Sequence, residues 1–170
     1  PAGGYELGGL LGKGANGFVL GARDQHLGRD VALKFHSKEA QLSSIELGRF
    51  AHEAQVTGQL SHPSIVPVHD LGVLPDGRPY YSMKRIAGST LKQIFDRLKL
   101  ADPAAVKEWT LPHFIRVMLR VAQACAFAHD HGVVHRDVKP ANIMAGPYGE
   151  VLLLDWGVAR VLGNEEGPLE

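Results

Sequence analysis

The sequence predicts an α+β chain in two parts, a small antiparallel sheet carrying one helix and then a mainly helical part. The hydrophobic period carries this reading. Between Tyr5 and Met83 the apolar stretches are short, rich in β-formers and bounded by turn residues; from Leu91 the apolar positions recur at helical spacing. The size agrees with it, because 170 residues at 45% hydrophobic content are enough for one mid-sized domain or two small lobes.

Several classes are excluded before any motif is read. Lys+Arg and Asp+Glu both number 18, so the chain lacks the surplus of one sign that a nucleic-acid coat or a polybasic membrane anchor needs. No nucleic-acid partner is expected. The single cysteine, Cys125, cannot form an internal disulfide, and its apolar neighbours predict a buried thiol in a reducing compartment. No apolar run approaches the roughly 18–20 residues that span a bilayer. The chain opens at Pro1 without a charged-then-apolar leader and reads as a piece of a longer soluble region, expected in the cytoplasm, whose parent could be anchored elsewhere.

In the first part, Phe18-Val19-Leu20, Val31-Ala32-Leu33, Ile65-Val66-Pro67-Val68 and Pro79 to Met83 read as strands, separated by turns at Asp24 to Asp30 and Pro75-Asp76-Gly77. A helix from about Ser44 to Leu60 interrupts them, with Ser43 and Ser44 as candidate caps, and stops before Ser61-His62-Pro63. In the second part Thr90 opens a short helix through Leu91, Ile94, Phe95 and Leu98, and 99–109 reads as a polar connection. A long helix then runs from about Thr110 to His131, with Gly132 as its C-terminal glycine. One of its faces holds Phe114, Val117, Met118, Val121, Cys125 and Ala128. A second apolar row, Ile115, Leu119, Ala122 and Ala126, lies about 100° around the axis, so this helix should be covered on two sides. Val133-Val134, Ile143-Met144 and Val151 to Leu154 read as short strands, and Asn164 to Glu170 as a polar tail.

The chemistry-bearing residues fall in a few segments. Gly12-Lys13-Gly14-Ala15-Asn16-Gly17-Phe18-Val19 fits G-x-G-x-x-G-x-V. Alone it could equally be a flexible hairpin turn. A dinucleotide site would follow it with a helix; here a strand follows, which makes the loop a β-hairpin lid whose bare N–H groups can approach phosphates. Lys34 ends the apolar strand Val31-Ala32-Leu33 and could be a snorkelling surface lysine; as a phosphate ligand it needs an anionic partner, which Glu53 on the following helix can supply.

The most specific segment is His135-Arg136-Asp137-Val138-Lys139-Pro140-Ala141-Asn142, followed after an apolar strand by Asp155-Trp156-Gly157. A chance match to H-R-D-x-K-x-x-N has odds of roughly two in a hundred thousand in this composition, too small for an ordinary polar turn. Asp137 can accept a hydroxyl proton. Asn142 and Asp155 are hard oxygen donors suited to Mg²⁺, and Lys139 can neutralise charge on a moving phosphoryl group.

In these motifs the chain resembles a eukaryotic-type serine/threonine protein kinase of the sort bacteria also carry, from Tyr5 to Gly163. The resemblance implies a bilobal protein-kinase-like fold: a complete small lobe over 1–86 and the first part of the large lobe over 87–170, truncated after Asp-Trp-Gly. It implies ATP and Mg²⁺ (or Mn²⁺) as cofactors and a protein Ser or Thr hydroxyl as acceptor. Gly12, Gly14 and Gly17 would cover the phosphates; Leu11, Val19, Ala32 and Met144 would enclose the adenine; Met83 would be the gatekeeper; the backbone of Lys84 and Ile86 would bind the adenine edge. Lys34 would pair with Glu53, Asp137 would be the catalytic base with Lys139 beside it, and Asn142 and Asp155 would hold metal. Val68, Thr57, Trp156 and His135 would stack as a spine.

The chain departs from the family pattern in three places. Asn16 stands where the lid tip usually has an aromatic, Trp156 replaces the Phe of Asp-Phe-Gly, and the later part of the large lobe is missing. A second copy or that missing segment is expected over the 110–131 helix. Two rival functions stay open on sequence alone: a kinase-like nucleotide-binding module without turnover, and a small-molecule phosphotransferase of related fold. A metal site from His129, His131 and His135 is disfavoured, since no Cys pair or carboxylate accompanies them. Arg136 could receive an activation-loop phosphate, but no Ser or Thr lies between Asp155 and Glu170.

Overall fold

A computed structural model describes residues 4–14, 17–36 and 43–162. The chain divides into two compact units, one of residues 1–59 and 66–87, the other of residues 60–65 and 88–170. The readings at Asn16 and at Asn164 to Glu170 lie outside the described residues.

The first unit is a five-stranded antiparallel sheet in the order β1-β2-β3-β5-β4, made of β1 (Tyr5–Gly14), β2 (Gly17–Asp24), β3 (Arg29–His36), β4 (Val68–Val73) and β5 (Pro79–Lys84), with α1 (Ser44–Gln59) between β3 and β4. Alternation along β3 separates two jobs. Val31, Leu33 and Phe35 point to one face and build a core with Tyr5, Ala22, Leu74 and Tyr80. Ala32 and Lys34 point to the other, where Phe50 and Ala54 of α1 pack on Tyr81, with Val68 and Met83 against them. α1 starts with a reciprocal cap: Ser43 Oγ accepts from the Glu46 amide at 3.3 Å and Glu46 Oε2 accepts from the Ser43 amide at 3.0 Å. Of its buried residues, Phe50, Glu53, Ala54 and Thr57 keep the spacing of one stripe, with Val56 buried beside it.

One strand begins later than the sequence predicts. Ile65 and Val66 are buried but outside β4, which starts at Val68. The apolar run misleads here because Ile65 belongs to the second unit, where it makes an isolated bridge to Leu153 while Ser64 accepts from the Leu153 amide at 2.8 Å. Pro67 interrupts the run, and its carbonyl accepts from the Lys84 amide at 3.1 Å.

The second unit contains α2 (Leu91–Lys99), α3 (Pro103–Glu108) and α4 (Leu111–Asp130), a three-stranded sheet of β6 (Ser89–Thr90), β8 (Ile143–Ala145) and β9 (Val151–Leu153), and the pair β7 (Val133–Val134) and β10 (Arg160–Val161). Thr90 and Gln93 form a capping box on α2. The polar connection contains a helix that the sequence reading passes over, α3, which Asp102 caps by accepting from the Ala104 and Ala105 amides with Pro103 in its first turn. α4 buries Val117, Val121, Ala124 and Ala128. The second apolar row, Ile115, Leu119, Ala122 and Ala126, is exposed. Cys125 is half-buried rather than buried, and its partial burial pushes the thiol pKa up.

Candidate active site

Lys34 reaches its place through strand register. β2 pairs with β3 so that Val19 lies opposite Lys34 and Gly21 opposite Ala32; β3 pairs with β5 so that Lys34 lies opposite Tyr81 and Ala32 opposite Met83. Cross-strand neighbours share a face, so Val19, Ala32, Lys34 and Met83 line one side of the sheet. Lys34 Nζ donates to Glu53 Oε1 at 2.6 Å, and the two side chains are 11% and 6% exposed. The Tyr81 hydroxyl donates to the same Oε1 at 2.8 Å. Glu53 is therefore held from two strand positions, and the lysine ammonium keeps one fixed direction. The sequence reading places Tyr81 in a strand but gives it no part in the site, because a tyrosine in an apolar strand is indistinguishable from ordinary core.

The glycine loop divides in a way the motif does not show. A Cβ on Gly17 would come within 2.1 Å of the Phe35 carbonyl oxygen, so Gly17 is needed by the sheet itself. Among the described residues a Cβ on Gly12 would meet nothing within 4 Å, and one on Gly14 only the Gly17 carbonyl oxygen at 4.0 Å. Among the described residues their bareness serves no internal contact, and it leaves room for a ligand to approach the backbone. Leu11 is exposed and Val19, Met83 and Ile86 are half-buried, while Ala32 is buried. The Lys84 amide is committed to the Pro67 carbonyl.

In the second unit Lys139 and Asn142 converge on one carboxylate, that of Asp137. Asp137 Oδ2 accepts from Lys139 Nζ at 2.7 Å and from Asn142 Nδ2 at 2.9 Å, while Asn142 Nδ2 also donates to the Asp137 carbonyl at 3.0 Å. The Lys139 ammonium, more than any other neighbour, holds the Asp137 pKa below the usual carboxylate value, and Asp137 in turn raises that of Lys139. With its amide nitrogen turned to Asp137, Asn142 presents its oxygen the other way. Met144 lies on β8, half-buried, paired with Leu152 and Thr90.

Beneath the loop, His135 is 2% exposed. Its Nε2 faces the Leu154 carbonyl at 3.0 Å and its Nδ1 accepts from the Asp137 amide at 3.2 Å. These partners fix a neutral ring protonated on Nε2, and burial lowers its pKa. The ring lies 4.5 Å from that of Trp156, centroid to centroid. Trp156 is buried, and its indole N–H has no hydrogen-bond partner among the described residues. Arg136 and Asp155, on either side of this layer in sequence, both have left-handed backbones, with φ of 64° and 61°, a strained conformation for side-chain-bearing residues.

A sequence model of the protein kinase domain matches residues 5–168. The chain belongs to the protein kinase domain family. Its curated relatives in that family include the serine/threonine-protein kinase PknD of Protochlamydia amoebophila, 38% identical over 93% of this chain and 16% of the relative. The serine/threonine-protein kinase PknB of Mycolicibacterium smegmatis is 39% identical over 94% of this chain and 25% of its own length. A probable serine/threonine-protein kinase of Streptomyces coelicolor is 36% identical over 94% of this chain and 23% of its own length. The chain thus spans between a sixth and a quarter of the length of these relatives.

The kinase family generally uses ATP and Mg²⁺, and the chain carries residues of the kind each takes. Lys34 offers a nearly buried, oriented ammonium, Gly12 an open backbone, and Asn142 and Asp155 oxygen donors of the kind Mg²⁺ takes alongside phosphates and water. Among the described residues no group of three or more His, Cys, Asp and Glu side chains is arranged to hold a metal ion. Among the same residues no helix is long and apolar enough to cross a membrane.

Proposed function

We propose that this chain is the nucleotide-binding and catalytic part of a protein serine/threonine kinase, transferring the γ-phosphoryl group of ATP to a Ser or Thr hydroxyl of a protein. The observation that carries the reading is the division of labour on Asp137. Its Oδ2 is occupied by Lys139 and Asn142, while Oδ1 accepts from no described residue. That leaves one carboxylate oxygen, on a carboxylate fixed in direction, to receive a substrate hydroxyl.

In this reading the Ser or Thr hydroxyl donates to Asp137 Oδ1, its oxygen forms the new bond to the γ-phosphorus, and the bond from that phosphorus to the bridging oxygen breaks, releasing ADP. The proton passes to the carboxylate. The depressed pKa of Asp137 makes it a weak base, which suits a loose phosphoryl-transfer transition state where orientation counts more than proton abstraction. Lys139 sits where charge builds on the moving group. A magnesium ion, held by Asn142 and Asp155, would supply neutralisation of the phosphate oxygens. Lys34, directed by Glu53 and Tyr81, grips the α- and β-phosphates, and Gly12, Gly14 and Gly17 let the backbone close on them.

Leu11, Val19, Ala32, Met83 and Met144 are the apolar residues assigned to the adenine, with the Lys84 carbonyl and the Ile86 backbone on its polar edge. Residues 1–86 are assigned as the small lobe and 87–170 as the first part of the large one. The cytoplasm, where ATP and Mg²⁺ are at hand, is the assigned compartment.

The test is acceptor choice. With γ-labelled ATP and Mg²⁺, label should enter a generic basic protein on acid-stable phosphoserine or phosphothreonine. Transfer to a sugar or aminoglycoside and none to protein would replace this reading with a small-molecule phosphotransferase.

A further inference from the structure

The sheet face that carries Lys34 continues past the residues assigned to the nucleotide. Along β3 that face shows Lys34, then Ala32, then Asp30, opposite Val19, Gly21 and Arg23 of β2, at roughly 7 Å per step of two residues. At the Asp30 end, wholly within the first unit, lies a cavity of about 360 Å³, a size that small ligands fill. Its lining includes Arg23, Asp30 and Arg85 and excludes Ala32 and Lys34. Glycines open it. Between the Leu7–Ala22 and Leu10–Leu20 pairs, β1 has two residues, Gly8 and Gly9, where β2 has only Gly21, which is a bulge. Among the described residues a Cβ on Gly9 would meet nothing within 4 Å, and one on Gly21 would stand 3.7 Å from the Gly9 carbonyl oxygen and from Leu11.

The rim of this cavity carries both signs of charge. Arg23 has an acid opposite it on each side, Glu6 on β1 and Asp30 on β3. It turns to Asp30, where its Nη1 donates to Oδ1 at 3.0 Å while Arg85 Nη1 donates to Oδ2 at 3.4 Å. Two guanidiniums thus share one carboxylate, and among the described residues their remaining N–H groups bond nothing. The Glu6 carboxylate, in the same lining, bonds no described residue either. The two cations balance the two anions, with spare donors on one side and a spare acceptor on the other. A lone anion or a lone cation would satisfy only one side.

We propose that this cavity binds a small zwitterion with an apolar body, of the α-amino-acid class. Its carboxylate takes N–H groups that Arg23 and Arg85 do not give to Asp30, its ammonium donates to Glu6, and its side chain fills the space cleared by Gly9 and Gly21 beside Leu11. The proposal goes beyond the kinase reading and does not depend on it, since no nucleotide takes part in the binding.

The probe is L-leucine, compared with leucinamide, which lacks the carboxylate, and 4-methylpentanoate, which lacks the ammonium. Binding to the whole chain is followed by amide chemical shifts without nucleotide. L-Leucine should bind saturably with a Kd of about 1 mM or tighter, shifting the amides of 6–11, 21–23 and 85. Each truncated ligand loses a charge-assisted contact and should bind at least about ten-fold more weakly. Glu6→Gln should bring L-leucine down to the affinity of 4-methylpentanoate, and Arg23→Gln/Arg85→Gln should bring it down to that of leucinamide. Gly9→Leu should fill the cavity and abolish binding while the amides of α1 stay where they are.

No saturable shift at 6–11 and 21–23 would overturn the proposal. Equal affinity for the three ligands would make the cavity a merely apolar cleft and overturn the zwitterion. Unchanged binding in Gly9→Leu would put the ligand elsewhere and overturn the site. If the chain transfers no phosphate, the kinase reading fails, while this titration still decides the cavity.

Discussion

Lys34 and Tyr81 are opposite one another in adjacent strands, and both donate to a single oxygen of Glu53, at 2.6 and 2.8 Å. The strand register thus brings two donors to one carboxylate on α1. Because this carboxylate is nearly buried, its bonds are coupled. Removing one partner leaves the other less well supported in a poorly solvated place, so the two losses are not additive.

Glu53→Gln should therefore destabilise the chain by about 2–3 kcal/mol, and Lys34→Met/Glu53→Gln should recover part of that loss. Urea unfolding of the two single variants and the double variant measures it. Additive losses would mean that the pair is not an energetic unit.

The two kinds of glycine in the loop should part company. Gly17→Ala forces a Cβ against the Phe35 carbonyl and should destabilise by roughly 2 kcal/mol or more, since backbone cannot yield as a side chain can. Gly12→Ala has space and should leave the melting temperature within a degree or two, while weakening Mg-ATP binding several-fold. Thermal melts with and without nucleotide separate the effects; equal melting losses in both would remove the argument that Gly12 is bare for a ligand's sake.

His135 sets an acid limit. Its folded pKa lies below its unfolded value of about 6.5, so as pH falls through that value the unfolded chain takes up a proton first. The neutral, doubly bonded ring stabilises the fold in full above about pH 6.5, and its contribution drains away as pH drops toward the folded pKa, at no more than about 1.4 kcal/mol per pH unit. Stability measured from pH 7.5 to 5 should converge between wild type and His135→Asn as the solution becomes more acid. Parallel curves would mean that His135 does not titrate on unfolding.

Much of this was legible in the residues because local and tertiary demands agree there. The Ser43 start of α1, the helical spacing of Leu91, Ile94 and Leu98 in α2 and the Gly132 end of α4 can each be read in the sequence. What escaped did so for physical reasons. Ile65 and Val66 look like a strand because burial selects apolar residues whether or not a ladder forms. The Asp102-Pro103 start of α3 was present as a signal, but a six-residue helix has too little periodicity to be seen. Tyr81 on Glu53 depends on register, which a motif does not encode.

The most direct measurement compares wild type with Asp137→Asn for two quantities at once, Mg-ATP affinity by calorimetry and label transferred to a basic protein. Asparagine keeps the shape of the side chain and loses the charge and basicity that the account assigns to it. Nucleotide affinity should change by less than about three-fold, and transfer should fall by at least about a hundred-fold. Equal transfer by both proteins would show that the reacting hydroxyl does not depend on Asp137.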